Sequence, residues 1–182
     1  MTQANDTAQA AHNKIVKSGI ILAFLITTLY GVALFYILGP FEAAASFQDR
    51  ITLAIQCALL PGLMLLIGIV VLGSGRFGNE AEDPTACEAS SQVMKVNVRY
   101  LSNTHEQLTL FLIALLGLAL ALPAPALTLL PIYASLFVIG RIAFWIGYHI
   151  NPLYRALGFG MTFYPTIAAL FYSISTVLFG LL

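Results

Sequence analysis

The chain has 182 residues, of which 59% are hydrophobic and 9% charged, and its formal net charge is zero. Soluble domains carry about a quarter charged residues, so this composition excludes a water-soluble globular protein and indicates an integral membrane protein. A neutral chain has no bulk field to draw nucleic acid, and no P-loop, GxGxxG or zinc-type Cys/His spacing occurs in it, so no metal site is expected.

Residues 1–18 form a polar N-terminal segment, with 1–13 expected to be disordered. The first predicted span is GIILAFLITTLYGVALFYIL, residues 19–38, uncharged and long enough to cross a bilayer. It exceeds a signal-peptide core and ends without a clean small-residue cleavage site, so it is read as a retained helix. The second span is 51–73, with Pro61 as an expected kink. A polar loop over 74–93 follows. Gln107 to Gly140 is an uncharged run of 34 residues. At 1.5 Å per residue it would measure about 51 Å, too long for one crossing. The LPAP turn at 122–125 divides it, giving a third span over 94–122 and a fourth over 126–149. The fifth is 156–182, with Pro165 inside.

Placing the N-terminus in the cytoplasm puts Lys14, Lys17, Arg76, Lys95, Arg99 and Arg155 on the inside and only Arg50 outside. That is the positive-inside pattern for five crossings, N-in and C-out. Cys57 lies in an apolar run and Cys87 in a polar loop, so they read as unrelated free thiols rather than a disulfide.

Depth along the helices gives the first functional clue. Measured from the turn at 122–126, Glu106 lies about 24 Å inward and Arg141 about 22 Å; Arg99 and Tyr148 lie at about 34 and 33 Å. Ionisable groups at such depths must face a bundle interior and find partners, so Glu106 is expected to pair with Arg141. Arg99, Asn103 and Glu106 at i, i+4 and i+7 make one helical stripe, and Arg141 and Tyr148 share a face of the next helix. Arg155 follows at the membrane edge. Three guanidiniums near one acid leave spare cationic capacity, which suits an anionic or zwitterionic ligand entering from the inner side.

These residues resemble a known family. R-x-x-x-N-x-x-E at Arg99, Asn103 and Glu106, followed by GRIAFWIGYHINPLYRALGF with Arg141, Tyr148 and Arg155, is similar to the MAPEG family, the membrane-associated proteins in eicosanoid and glutathione metabolism. RFGNEAEDP at 76–84 looks like that family's first loop, and the resemblance covers about residues 51–182. It implies an all-α fold: a four-helix bundle over 51–182 with 19–38 as an extra helix, assembled as a homotrimer with glutathione between subunits. By motif match, Arg99, Asn103, Glu106, Arg141 and Tyr148 would hold glutathione, Arg76 would lie near it, and Arg155 would stabilise the thiolate. Gln107 and Phe144 stand where some members have tyrosines, so glutathione contacts there differ. The register of Phe163 and Tyr164 against the family pattern stays open.

The implied function is a membrane glutathione transferase or peroxidase acting on lipophilic electrophiles beside membrane lipid. The alternative is a non-catalytic lipid-binding or scaffold protein on the same fold; a small transporter is the weakest rival. Short loops fit a bacterial inner membrane. His105 and His149 read as interfacial and Trp145 as packing. Phe159, Phe163 and Phe171 either border an apolar cleft or face lipid.

Overall fold

Each apolar run becomes one helix because a backbone in hydrocarbon must satisfy its own N–H and C=O groups. The computed structural model describes residues 2–40, 46–77 and 91–180. The helices are α1 (Thr2–Leu38), α2 (Phe47–Arg76), α3 (Gln92–Ala121), α4 (Leu129–Ile150) and α5 (Arg155–Leu178). All five contain a stretch long and apolar enough to cross a membrane, and no strand occurs among the described residues. The protein is a multi-pass, all-helical membrane protein.

The boundaries follow local chemistry. Ser46 and Asp49 form a reciprocal capping box that starts α2, and Ser91 caps α3. The LPAP sequence does end α3, and a short 3₁₀ segment, Ala124–Thr128, leads into α4. Pro61 and Pro165 lie inside continuous helices. One expectation fails: residues 2–13 are not a separate disordered segment but the opening turns of α1. Alanine and glutamine favour helix there, and elongating a helix already nucleated by the apolar run is easy. Residues 78–90, which include Cys87 and most of the RFGNEAEDP loop, and residues 181–182 lie outside the described residues.

Successive helices run antiparallel. Nη1 of Arg50 at the start of α2 donates to the carbonyls of Ala119 (2.8 Å) and Leu122 (2.6 Å), closing the C-terminal end of α3. Arg99 near the start of α3 meets Tyr148 near the end of α4. Lys95, Arg99, Arg155, Arg76, Lys14 and Lys17 therefore share one end, called here the basic end. The core between α2, α3 and α4 is built on Phe111, Leu115, Leu130 and Phe137, all buried. α5 packs on α4 and α3, and α1 packs on the outer side of α5 and α4.

Gly158 decides how closely α5 approaches α4. A Cβ there would overlap the backbone nitrogen of Phe144 and the carbonyl of Gly140. We expect Gly158→Ala to lower the thermal unfolding temperature in detergent, by the equivalent of about 1–3 kcal/mol for forced overpacking. Gly62→Ala, where nothing lies within 4 Å of the new Cβ, should not lower it. Equal midpoints would mean that this contact does not set the packing.

Candidate functional site

The site begins with a buried cation. Arg141, on the middle of α4, has 0% of its surface exposed. Its Nη1 donates to Asn103 Oδ1 of α3 (2.8 Å), and its Nη2 donates to Thr162 Oγ1 of α5 (2.5 Å) and, more weakly, to the Gly158 carbonyl (3.4 Å). The guanidinium carbon lies 4.7 Å from the Phe144 ring centre and 5.7 Å from that of Phe137. The expected Glu106–Arg141 ion pair is not formed. Equal depth brought the two groups level, but their faces differ: Arg141 points into the α3–α4–α5 interface, while Glu106 is exposed and accepts from Ser102 Oγ at 3.3 Å.

The expected level of Arg99 with Tyr148 does hold. The buried Tyr148 hydroxyl accepts from Arg99 Nη1 and from Arg155 Nη1, each at 3.0 Å. The Arg155 guanidinium also lies 4.9 Å from the Tyr148 ring centre. Two cations are thus gathered on one neutral oxygen. Both are exposed, and Arg155 is the first residue of α5, where the helix end adds partial positive charge.

These groups line one cavity of about 690 Å³ at the basic end, within the common size range of small-molecule sites. Its polar wall is the stripe read from the sequence, Arg99, Asn103 and Glu106, with Ser102 added. Tyr148 and Arg155 close that side. Arg141 does not line the cavity; it acts on it through Asn103. Arginine only donates, so the Asn103 oxygen accepts from Arg141 and its amide N–H₂ remains available to donate to a ligand. Two positive charges oppose the single negative charge of Glu106, so the wall fits a ligand carrying carboxylates and an ammonium.

Arg76, at the end of α2, does not line the cavity. Phe144, Phe159 and Tyr164 do line it, whereas Phe171 is 69% exposed and faces outward. Trp145 stacks on Tyr100 at 4.4 Å and donates its Nε1–H to Asn97 Oδ1, which also meets His149 Nε2 at 3.1 Å. Trp145 and His149 thus serve the α3–α4 contact, as the interfacial and packing readings expected. The sequence did not reveal the rest of the lining: His12, Val16 and Ile20 from α1, and Pro152, Leu153 and Ala156 around the α4–α5 turn. The apolar ones carry no chemical signature that would set them apart from lipid-facing residues, and His12 lies in the polar N-terminal segment, outside the spans read from the sequence.

The MAPEG family is matched over residues 52–175. Transmembrane protein 79 of Mus musculus is 26% identical over 155 residues, covering 84% of this chain and 38% of that protein. Transmembrane protein 79 of Bos taurus is 26% identical over 161 residues, covering 87% of this chain and 40% of its own length. The chain therefore spans about two-fifths of the curated relatives it matches. No solved structure matches it.

The buried arginine yields a test independent of any ligand. Thr162→Val keeps the side chain's shape but leaves Arg141 Nη2 with only the distant Gly158 carbonyl. The expected loss is about 1–3 kcal/mol, the cost of an orphaned buried donor, read as a lower unfolding midpoint. Thr109→Val, at an exposed position of α3, should be neutral. An unchanged midpoint for Thr162→Val would show that this hydroxyl does not hold the cation.

Proposed function

The chain belongs to the MAPEG family, and from that premise we propose that it is a membrane glutathione transferase with peroxidase capacity. The observation that carries the reading is the convergence of Arg99 and Arg155 on the Tyr148 hydroxyl, in the lining of the same cavity as the carboxylate of Glu106. Glutathione offers two carboxylates, an ammonium and a thiol, and this wall offers complementary groups. Arg99 and the Asn103 amide take carboxylate oxygens, and Glu106, which is not bonded to Arg141, takes the ammonium. Tyr148 holds both arginines in place. Arg155 faces the sulfur. Arg141 positions Asn103 and does not itself touch the ligand.

A thiol with pKa of about 8.5 is mostly protonated at neutral pH, and a nearby guanidinium favours its anion. In conjugation to an α,β-unsaturated carbonyl, the thiolate pair forms the carbon–sulfur bond at the β carbon. The π pair moves to the carbonyl oxygen as an enolate, and a proton equal to the one lost by the thiol returns at the α carbon. With a hydroperoxide, the thiolate attacks the terminal oxygen and the O–O bond breaks. The alkoxide takes a proton to leave as alcohol, and a second glutathione converts the sulfenic acid to disulfide and water.

Family membership supports a homotrimer with glutathione between subunits. Arg76, absent from the cavity of its own chain, would then be supplied by a neighbouring copy. The clustering of Lys14, Lys17, Arg76, Lys95, Arg99 and Arg155 supports a cytoplasmic mouth, N-in and C-out. Short connections between spans are what supports a bacterial inner membrane, whereas the relatives named above are mammalian. The second reading, lipid binding without catalysis, draws on the apolar part of the cavity lining, and turnover by the purified protein would exclude it.

Arg155→Ala should cut kcat about hundredfold, as expected for loss of one charge-stabilising donor, while glutathione affinity changes little. Arg99→Ala should do the reverse, weakening glutathione binding about tenfold. Calorimetry and steady-state kinetics on detergent-purified protein separate the two. No heat of binding up to about 10 mM glutathione, an affinity weaker than roughly −3 kcal/mol, would remove the transferase reading.

A further inference from the structure

The helix that precedes the family-matched region is part of the site. α1 is parallel to α5 and held to it by facing small residues spaced four apart: Gly19 and Ala23 against Ala156 and Gly160. A Cβ on Gly19 would lie 3.2 Å from Ala156 Cβ, and one on Gly160 would lie 2.7 Å from Ala23 Cβ. Ala23 is fully buried. Such small-xxx-small stripes let helix backbones approach within a bilayer, where hydrophobicity gives no drive to associate. Further along, Tyr30 donates to Ser135 Oγ and Thr128 Oγ1 donates to the Gly39 carbonyl, both at 2.9 Å. This seat fixes the rotation of α1 and turns Val16 and Ile20 into the cavity. Leu22, two residues beyond Ile20, faces a separate groove on the other side of the α1–α5 seam.

The cavity therefore has two unlike walls. α3 supplies charge and hydrogen bonds through Arg99, Ser102, Asn103 and Glu106, while Val16 and Ile20 of α1 with Ala156 and Phe159 of α5 supply apolar surface, to which His12 of α1 and Tyr164 of α5 add polar groups. Arg155 starts α5 at the junction of the two. A zwitterionic peptide satisfies only the first wall. We propose that α1 is the substrate-selecting wall: Val16 and Ile20 hold an apolar chain of the electrophile against Phe159, so that long-chain electrophiles are preferred over compact ones. This rests on the transferase reading, and the step it governs is the thiolate addition already written. Val16 and Ile20 are specificity-determining positions that take no part in bond making.

The test compares pentenal and dodecenal as electrophiles with the full-length protein and its Ile20→Phe and Leu22→Phe variants. Ile20→Phe fills the apolar wall and should lower kcat/KM for dodecenal about tenfold relative to pentenal, the scale of a lost methylene-sized fit. Glutathione affinity should stay unchanged. Leu22→Phe, equally bulky on the opposite face of the same helix, should leave the chain-length ratio as in wild type. An Ile20→Phe effect equal for both aldehydes, or the same selectivity change in Leu22→Phe, overturns the proposal. If wild type conjugates neither aldehyde, it is the transferase reading that fails. The wall is then read by energy transfer from Trp145, the chain's single tryptophan, to cis-parinaric acid. Weakened binding in Ile20→Phe alone supports α1 as a chain-holding wall; identical binding in all three proteins overturns it.

Discussion

A fully buried guanidinium in the middle of a membrane-spanning helix is the constraint on which the rest depends. Moving such a cation out of water costs several kcal/mol, and truncating its partners costs more than the pair contributes. Arg141 offsets part of this without a carboxylate among its hydrogen-bond partners, and its buried Nε has no partner among the described residues. It uses a side-chain amide, a hydroxyl, a helix carbonyl and two aromatic faces. These partners come from α3, α4 and α5 together. Sliding any of the three helices by one turn would leave the cation unsatisfied, so one polar residue sets the register of an interface otherwise made of interchangeable apolar contacts. Gly158 belongs to the same arrangement, because only a residue without Cβ lets α5 come near enough for Thr162 to reach Arg141.

The consequence for chemistry is indirect but definite. With the Asn103 oxygen accepting from Arg141, its N–H₂ remains available to a ligand, and because Arg141 bonds to Asn103, Thr162 and Gly158 rather than to Glu106, Glu106 keeps its charge for one. Nearer the mouth, the Tyr148 hydroxyl gathers Arg99 and Arg155 without neutralising them. The bundle thus presents excess positive charge, one carboxylate and an oriented amide on a single wall. Val16 and Ile20 of α1 add apolar surface to the same cavity.

Much of this was legible beforehand. The spacing of Arg99, Asn103 and Glu106 put them on one stripe because helical periodicity is fixed by the backbone, and the three do share the cavity. Counting residues from the LPAP turn set Arg99 level with Tyr148, and they are bonded. The same count set Glu106 level with Arg141, and there it misled. Rise per residue gives depth but not azimuth, and the rotation of α4 turns Arg141 toward Thr162 rather than toward Glu106. Thr162 itself gave no signal, since a threonine in a spanning helix ordinarily bonds its own backbone.

The sequence by itself determined that the chain is a five-span membrane protein, where the LPAP turn separates the third helix from the fourth, and which chemical groups lie at which depth. Those properties follow from composition, periodicity and a constant helical rise, all of them local. Tertiary structure alone decided that Arg141 lies buried between α3, α4 and α5, outside the cavity lining, and that α1 lines the cavity. Both depend on how the helices are rotated about their axes. That rotation is set by the matching of Gly19 and Ala23 with Ala156 and Gly160, and of Gly158 with the α4 backbone, and such close contacts exist only once the helices are packed.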